Sequence, residues 1–136
     1  MVSEVERINE KGTMKINQNI FGRIAYDAVG LTEGKAFSAS EKGKQLTGIG
    51  GTRPTPGEIG DHMIVREEEG RIYLELYIIM SFGASIQKAT QQILDYMEGQ
   101  LKILFPDQGG RILLKIVGVK SKQIAARDIE VERVWN

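Results

Sequence analysis

The chain of 136 residues has no cysteine and one histidine, and its 18 basic side chains are matched by 18 acidic ones. The lack of cysteine removes disulfides, thiolate metal sites and cysteine nucleophiles together. It also suits a cytoplasmic setting, which is the location expected here. Zero net charge argues against a general nucleic-acid binder, because displacing counterions from phosphates takes an excess of positive charge. Long apolar runs are missing as well. The longest, Leu76–Met80, is far short of the roughly 20 residues that span a bilayer. Met1–Arg7 carries acids where a signal peptide needs a positive and then an apolar region. Direct membrane insertion is therefore not expected, and contact with a membrane would run through a membrane-anchored protein partner.

What is present suits one globular domain, with 41% hydrophobic and 26% charged residues. Residues 1–12 are polar and aperiodic and read as a flexible lead-in to a single domain over 13–136. A short strand is expected at Thr13–Ile16. Asn17 would then cap a helix whose apolar positions are Ile20, Ile24, Ala28 and Leu31. Gly30 suits the left-handed residue that ends many helices, and Gly22 and Ala25 are small enough to let that helix approach a sheet.

Residues 32–61 hold seven of the 16 glycines and two of the three prolines. The stretch reads as a long, partly mobile loop with a short helix near Glu41–Leu46, and loops of this length are commonly functional. A strand at Met63–Glu67 and a turn at Glu68-Glu69-Gly70-Arg71 follow. From there Ile72, Leu74, Leu76, Ile78 and Met80 share one face of a strand, and Arg71, Tyr73, Glu75, Tyr77 and Ile79 share the other. The first set is expected to pack inward and the second to meet water, as on an antiparallel sheet with one solvated face.

At Ser81-Phe82-Gly83-Ala84-Ser85 the period changes. Gly83 permits the bend and Ser85 can cap the next helix, whose apolar stripe is Ile86, Ala89, Ile93, Met97, Leu101 and Leu104. Pro106 and Gly109-Gly110 stop it. Arg111–Val119 reads as a central strand, and Ile129, Val131 and Trp135 alternate with charges as on a C-terminal edge strand. The expected fold is α+β: two layers, a mostly antiparallel sheet and two main helices, in the order β-α-(long loop)-β-β-α-β-β.

Catalytic patterns are weak. Asp61 and His62 are adjacent, with Glu58 nearby, but neighbours on a strand point to opposite faces and a catalytic zinc takes three protein ligands. Gly30–Ala36 differs from a phosphate loop in spacing and lacks its Ser or Thr. Gly48–Arg53 could form a nest of backbone N–H groups for an anion, against a plain flexible loop. Glu67-Glu68-Glu69 reads as a solvated hairpin tip rather than a cation site. No catalytic residue, metal or cofactor is assigned.

The outer row Tyr73, Tyr77 and Ile79, with Trp135 on the last strand, gives the candidate contact residues, since aromatic side chains suit interfaces. The alternative is that the 32–61 loop or a helix covers them as core. The C-terminal edge could add a strand from another copy, or its charges at Arg127, Asp128, Glu130, Glu132 and Arg133 could guard against that.

The segment Gly12-Thr13-Met14-Lys15-Ile16-Asn17, the strand Ile72–Met80 and the junction Phe82-Gly83-Ala84-Ser85-Ile86 with its amphipathic helix resemble the alkaline shock protein family, the envelope stress response proteins of Gram-positive and related bacteria. Phe82 stands where that family usually has Tyr. The resemblance implies a non-enzymatic cytoplasmic scaffold that forms homo-oligomers and binds partners, linked to membrane or fatty-acid homeostasis. A small KH-like RNA-binding module, or a ligand-binding protein with the 32–61 loop as a lid, are the alternative readings.

Overall fold

The structure, a computed structural model, describes residues 14–136, with side chains from Asn19 onward. The expected lead-in at 1–12 lies outside the described residues. Helix α1 (Met14–Gly30) is followed by β1 (Ala36–Ala39), a 3-10 turn at Ile49–Gly51, the short α2 (Pro56–Asp61), β2 (Ile64–Glu68), β3 (Arg71–Ser81), α3 (Ile86–Leu104), β4 (Gly110–Lys120) and β5 (Ile124–Trp135).

The five strands form one sheet in the order β1-β3-β4-β5, with β2 also on β3. Strand β1 pairs with Tyr77–Met80 and β2 with Arg71–Glu75, so the two short strands lie end to end along one edge of β3. The β3–β4 pair is parallel, joined through α3, and the other pairings are antiparallel. This is the α+β, two-layer, mostly antiparallel architecture expected.

Both long helices pack on one face. Phe21, Ile24, Ala25 and Ala28 of α1 and Ala89, Ile93, Met97 and Leu101 of α3 meet Ile72, Leu74, Leu76, Ile78 and Met80 of β3 and Ile112, Leu114 and Ile116 of β4. The two-residue period of the strands and the helical period thus supply one shared apolar layer. Phe21 and Phe105 stack within it at 5.8 Å between ring centroids. Around β3 the local chemistry is as the sequence requires. Glu69 and Gly70, both at positive φ (52° and 75°), make the two-residue turn that matches strand twist. Gly83 takes φ 84°, and the Ser85 hydroxyl accepts from the Lys88 amide at 3.2 Å, capping α3.

Several expectations are corrected. Met14–Ile16 is helix, not strand, and Asn17 lies inside α1 rather than capping it; Ile16 continues the four-residue spacing of Ile20 and Ile24, so the helical period does not break there. Gly30 is not left-handed; Glu33 and Gly34 take that conformation (φ 53° and 86°) after an extra turn. Gly22 lies against α2 rather than the sheet, where an added Cβ would press on the Gly60 amide at 2.8 Å. No helix forms at Glu41–Leu46. The helix in this region is α2, started by a capping box in which the Thr55 hydroxyl accepts from the Glu58 amide and the Glu58 carboxylate accepts from the Thr55 amide, with Pro56 next. The stripe on α3 ends at Leu101: Leu104 is 49% exposed and Phe105 is buried in its place.

Candidate functional site

No helix contributes to the second face of the sheet among the described residues. The outward row of β3 runs Tyr73, Glu75, Tyr77, Ile79, yet these residues are 4%, 8%, 4% and 0% exposed. The expectation that this row meets water is therefore overturned. Charged side chains of neighbouring strands and one loop cover it instead. Tyr73 is opposite Arg66 on β2 and Arg111 on β4, and their guanidinium carbons sit 4.4 and 4.7 Å from its ring centroid. The long stems of arginine cover apolar surface while the heads stay wet. Tyr77 and Ile79 form a small cluster with Ala39, Phe37 and Val117. The 40–46 turn folds beside it: Leu46 donates to the Ser38 carbonyl at 2.9 Å, and Lys120 donates to Gln45 at 2.7 Å while lying over the Phe37 ring.

Glu75 is the centre of this face. The Tyr73 hydroxyl donates to its Oε1 at 2.7 Å, and the Tyr77 hydroxyl donates to its Oε2. Lys115 Nζ is 3.9 Å from Glu75 Oε2 and 3.6 Å from Glu130 Oε2. Burial pushes the Glu75 carboxyl upward, but the two tyrosine hydroxyls, Lys115 and Arg66 outweigh it and hold the group below its ordinary value. Burial and the hydrogen bond to Glu75 raise both tyrosines. Glu75 is thus an ionised carboxylate with donors on both oxygens, and the phenols stay protonated. Neither is poised for acid–base or nucleophilic work.

Beyond this centre the face is ordered by charge. Arg66 pairs with Glu68 at 3.7 Å and Arg111 with Glu132 at 3.2 Å. Across β3, β4 and β5 one row reads Glu75, Lys115, Glu130: acid, base, acid. Strand β5 occupies the sheet edge that the sequence predicts and pairs with β4 within the chain.

The remaining sequence candidates do not converge on this face. Trp135 is 4% exposed in the helix-side core, with its ring against Gly110. It is a packing residue. Asp61 ends α2 and His62 is its C-cap, both exposed. In Gly48–Arg53 the amides of Gly48, Gly51 and Thr52 bond to carbonyls within the loop, and Arg53 lies 3.8 Å over the Tyr26 ring while donating to its carbonyl. Those groups are committed internally. A cleft of ≈ 350 Å³ does open between the end of α1, β1 and this loop, lined by Val29, Phe37, Ser38, Leu46 and Pro54 among others. Among the described residues no group of three or more His, Asp or Glu side chains is placed to hold a metal ion, and no helix is long and apolar enough to cross a membrane.

Sequence reasoning put Glu75 in the β3 row without singling it out, and missed Arg66, Arg111 and Lys115. The signal for Glu75 was an acid set between two tyrosines at two-residue spacing on one strand face. No family model matches the chain, and no curated protein or solved structure does so significantly.

Proposed function

We propose that the protein is a non-enzymatic interaction module that binds other chains through the helix-free side of its sheet. The observation that carries this reading is the β3–β4–β5 surface. It is a broad face with charges in rows, and its buried carboxylate, Glu75, accepts from the hydroxyls of the two buried tyrosines beside it. Side chains held in place before binding lose little entropy on contact, which favours docking. Alternating charge favours selectivity among partners.

The envelope-stress role implied by the family resemblance belongs to the same proposal, as does homo-oligomer formation. A pull-down from the native cell, with membranes separated from cytosol, tests the reading when the chain is compared with an Arg111→Glu, Lys115→Glu variant. Loss of specific partners in the variant is expected. A partner set identical for the two proteins would sink the reading. Light scattering over a range of concentrations tests self-association, and a strict monomer throughout would remove that part.

A further inference from the structure

Strand β5 is twelve residues long, and its side away from β4 carries no partner strand among the described residues. Eleven of its residues are exposed or half-exposed, Trp135 being the buried one. Such an edge presents unpaired backbone N–H and C=O groups and is a template for an added strand. The side chains flanking that template select what can be added.

On the helix-free face Glu130 and Glu132 follow each other at strand spacing, their side chains 52% and 47% exposed, with Asp128 next to them at the irregularity between β4 and β5. Each glutamate already meets one cation from the β4 side, Lys115 or Arg111, and Lys115 is shared with Glu75. A carboxylate has acceptor capacity for a second cation. The row Glu75, Lys115, Glu130 alternates in sign from strand to strand, and a basic residue is the next member that continues it.

In the registers centred on the acid row, a second copy of β5 meets it with acid instead. An antiparallel pair of identical strands has its two-fold axis at one residue. With the axis at 128 or 132, Asp128 or Glu132 meets itself. With the axis at 129, 130 or 131, the opposed pairs are Asp128 with Glu130, Glu130 with itself, and Glu130 with Glu132. Like charges directly opposite destabilise a strand pair.

We infer that the β5 edge is a docking site for an extended segment of a partner protein carrying Lys or Arg at alternate positions, added as a sixth strand beside Glu130 and Glu132. This deepens the proposed interaction role and rests on it. Backbone hydrogen bonds supply the affinity, and the acid row supplies the preference.

Synthetic nonapeptides alternating Lys with Thr, Glu with Thr, and Lys with Thr around a central Pro test this on the full chain, with amide chemical shifts as readout. Expected are shifts centred on β5 and at least tenfold tighter binding of the Lys peptide than of the Glu peptide. The Pro peptide should lose that binding, and added salt should weaken it. In the Glu130→Lys, Glu132→Lys variant, with its folding checked by thermal unfolding, the preference should reverse. Equal binding of the Lys and Glu peptides, an unchanged preference in the charge-reversed variant, shifts confined to other surfaces, or a β5-mediated dimer would each overturn the inference. If no peptide binds while the Arg111→Glu, Lys115→Glu variant still loses cellular partners, the edge inference fails and the interaction reading stands. If the variant also keeps every partner, both fail.

Discussion

The two faces of β3 are buried to nearly the same degree by opposite chemistry. On the helix side, Ile72, Leu74, Leu76, Ile78 and Met80 are 0–1% exposed beneath α1 and α3. On the other side, Tyr73, Glu75, Tyr77 and Ile79 are 0–8% exposed, yet two guanidinium groups lie over Tyr73, and Tyr77 and Ile79 sit in a small cluster with Ala39, Phe37 and Val117. The first face is held by removal of apolar area from water, which carries no titrating group and no charge for salt to screen. The second adds to a small apolar cluster hydrogen bonds and ion pairs, which respond to pH and to salt. Low exposure of a strand residue therefore does not say which force buries it.

The largest expected effect is on the helix side. Leu76→Ala removes a side chain that is 1% exposed and should cost about 3–4 kcal/mol in urea unfolding, through lost transfer energy and the cavity left behind. A cost below about 1 kcal/mol would mean that the helix layer is loosely packed, and the comparison would break. On the other side, Glu75→Ala leaves two tyrosine hydroxyls without their acceptor and should cost roughly 2 kcal/mol. Adding Tyr73→Phe and Tyr77→Phe to that variant should recover part of the loss, because no donor is then stranded. An additive further loss would instead show that the hydroxyls have other partners.

The pH response separates the faces more finely. Both tyrosines are raised above the ordinary value of about 10, so the unfolded chain releases those protons first. Their contribution is fully present below about pH 10 and falls as pH rises toward the folded values, by at most about 1.4 kcal/mol per pH unit for each. Glu75 is depressed, so its contribution is present above its unfolded pKa and lost as pH falls through the folded value. Urea midpoints measured from pH 9 to 12 should decline, and Tyr73→Phe with Tyr77→Phe should flatten the decline. An unchanged alkaline slope in that variant would count against the Glu75 centre. The smallest effect is expected for Arg111→Ala. Its ion pair with Glu132 has side chains 45% and 47% exposed, and with the lost stacking on Tyr73 the change should stay within about 1 kcal/mol and shrink in salt.

Much of the fold could be read from the residues, and the reasons are local. From Arg71 to Leu101 the strand period, the Gly83 bend, the Ser85 cap and the helical stripe follow one another without conflict, and tertiary packing had nothing to override. Strand β1 is different. Ala-Phe-Ser-Ala carries no local strand signature in a glycine-rich stretch, and its pairing with Tyr77–Met80 is what makes it a strand. Helix α2 did have a signal, Thr55-Pro56-Gly57-Glu58, hidden by the Gly and Pro that suggested a loop. At the site, alternation correctly put Tyr73, Glu75 and Tyr77 on one face. It could not show their cover, because Arg66 and Arg111 come from strands separated in sequence and reach the rings only after the sheet forms.

The shared edge of β3 has a consequence of its own. Because β1 holds Tyr77–Met80 and β2 holds Arg71–Glu75, that edge is closed by two short seams rather than one long one. The excursion between them, from 40 to 63, is tied down at both ends of its path, by the Leu46 amide on the Ser38 carbonyl and by Ile59 and Met63 in the helix-side core. The edge of the sheet opposite β5 is therefore closed by two local pairings and a packed excursion, while the β5 edge has no partner strand among the described residues.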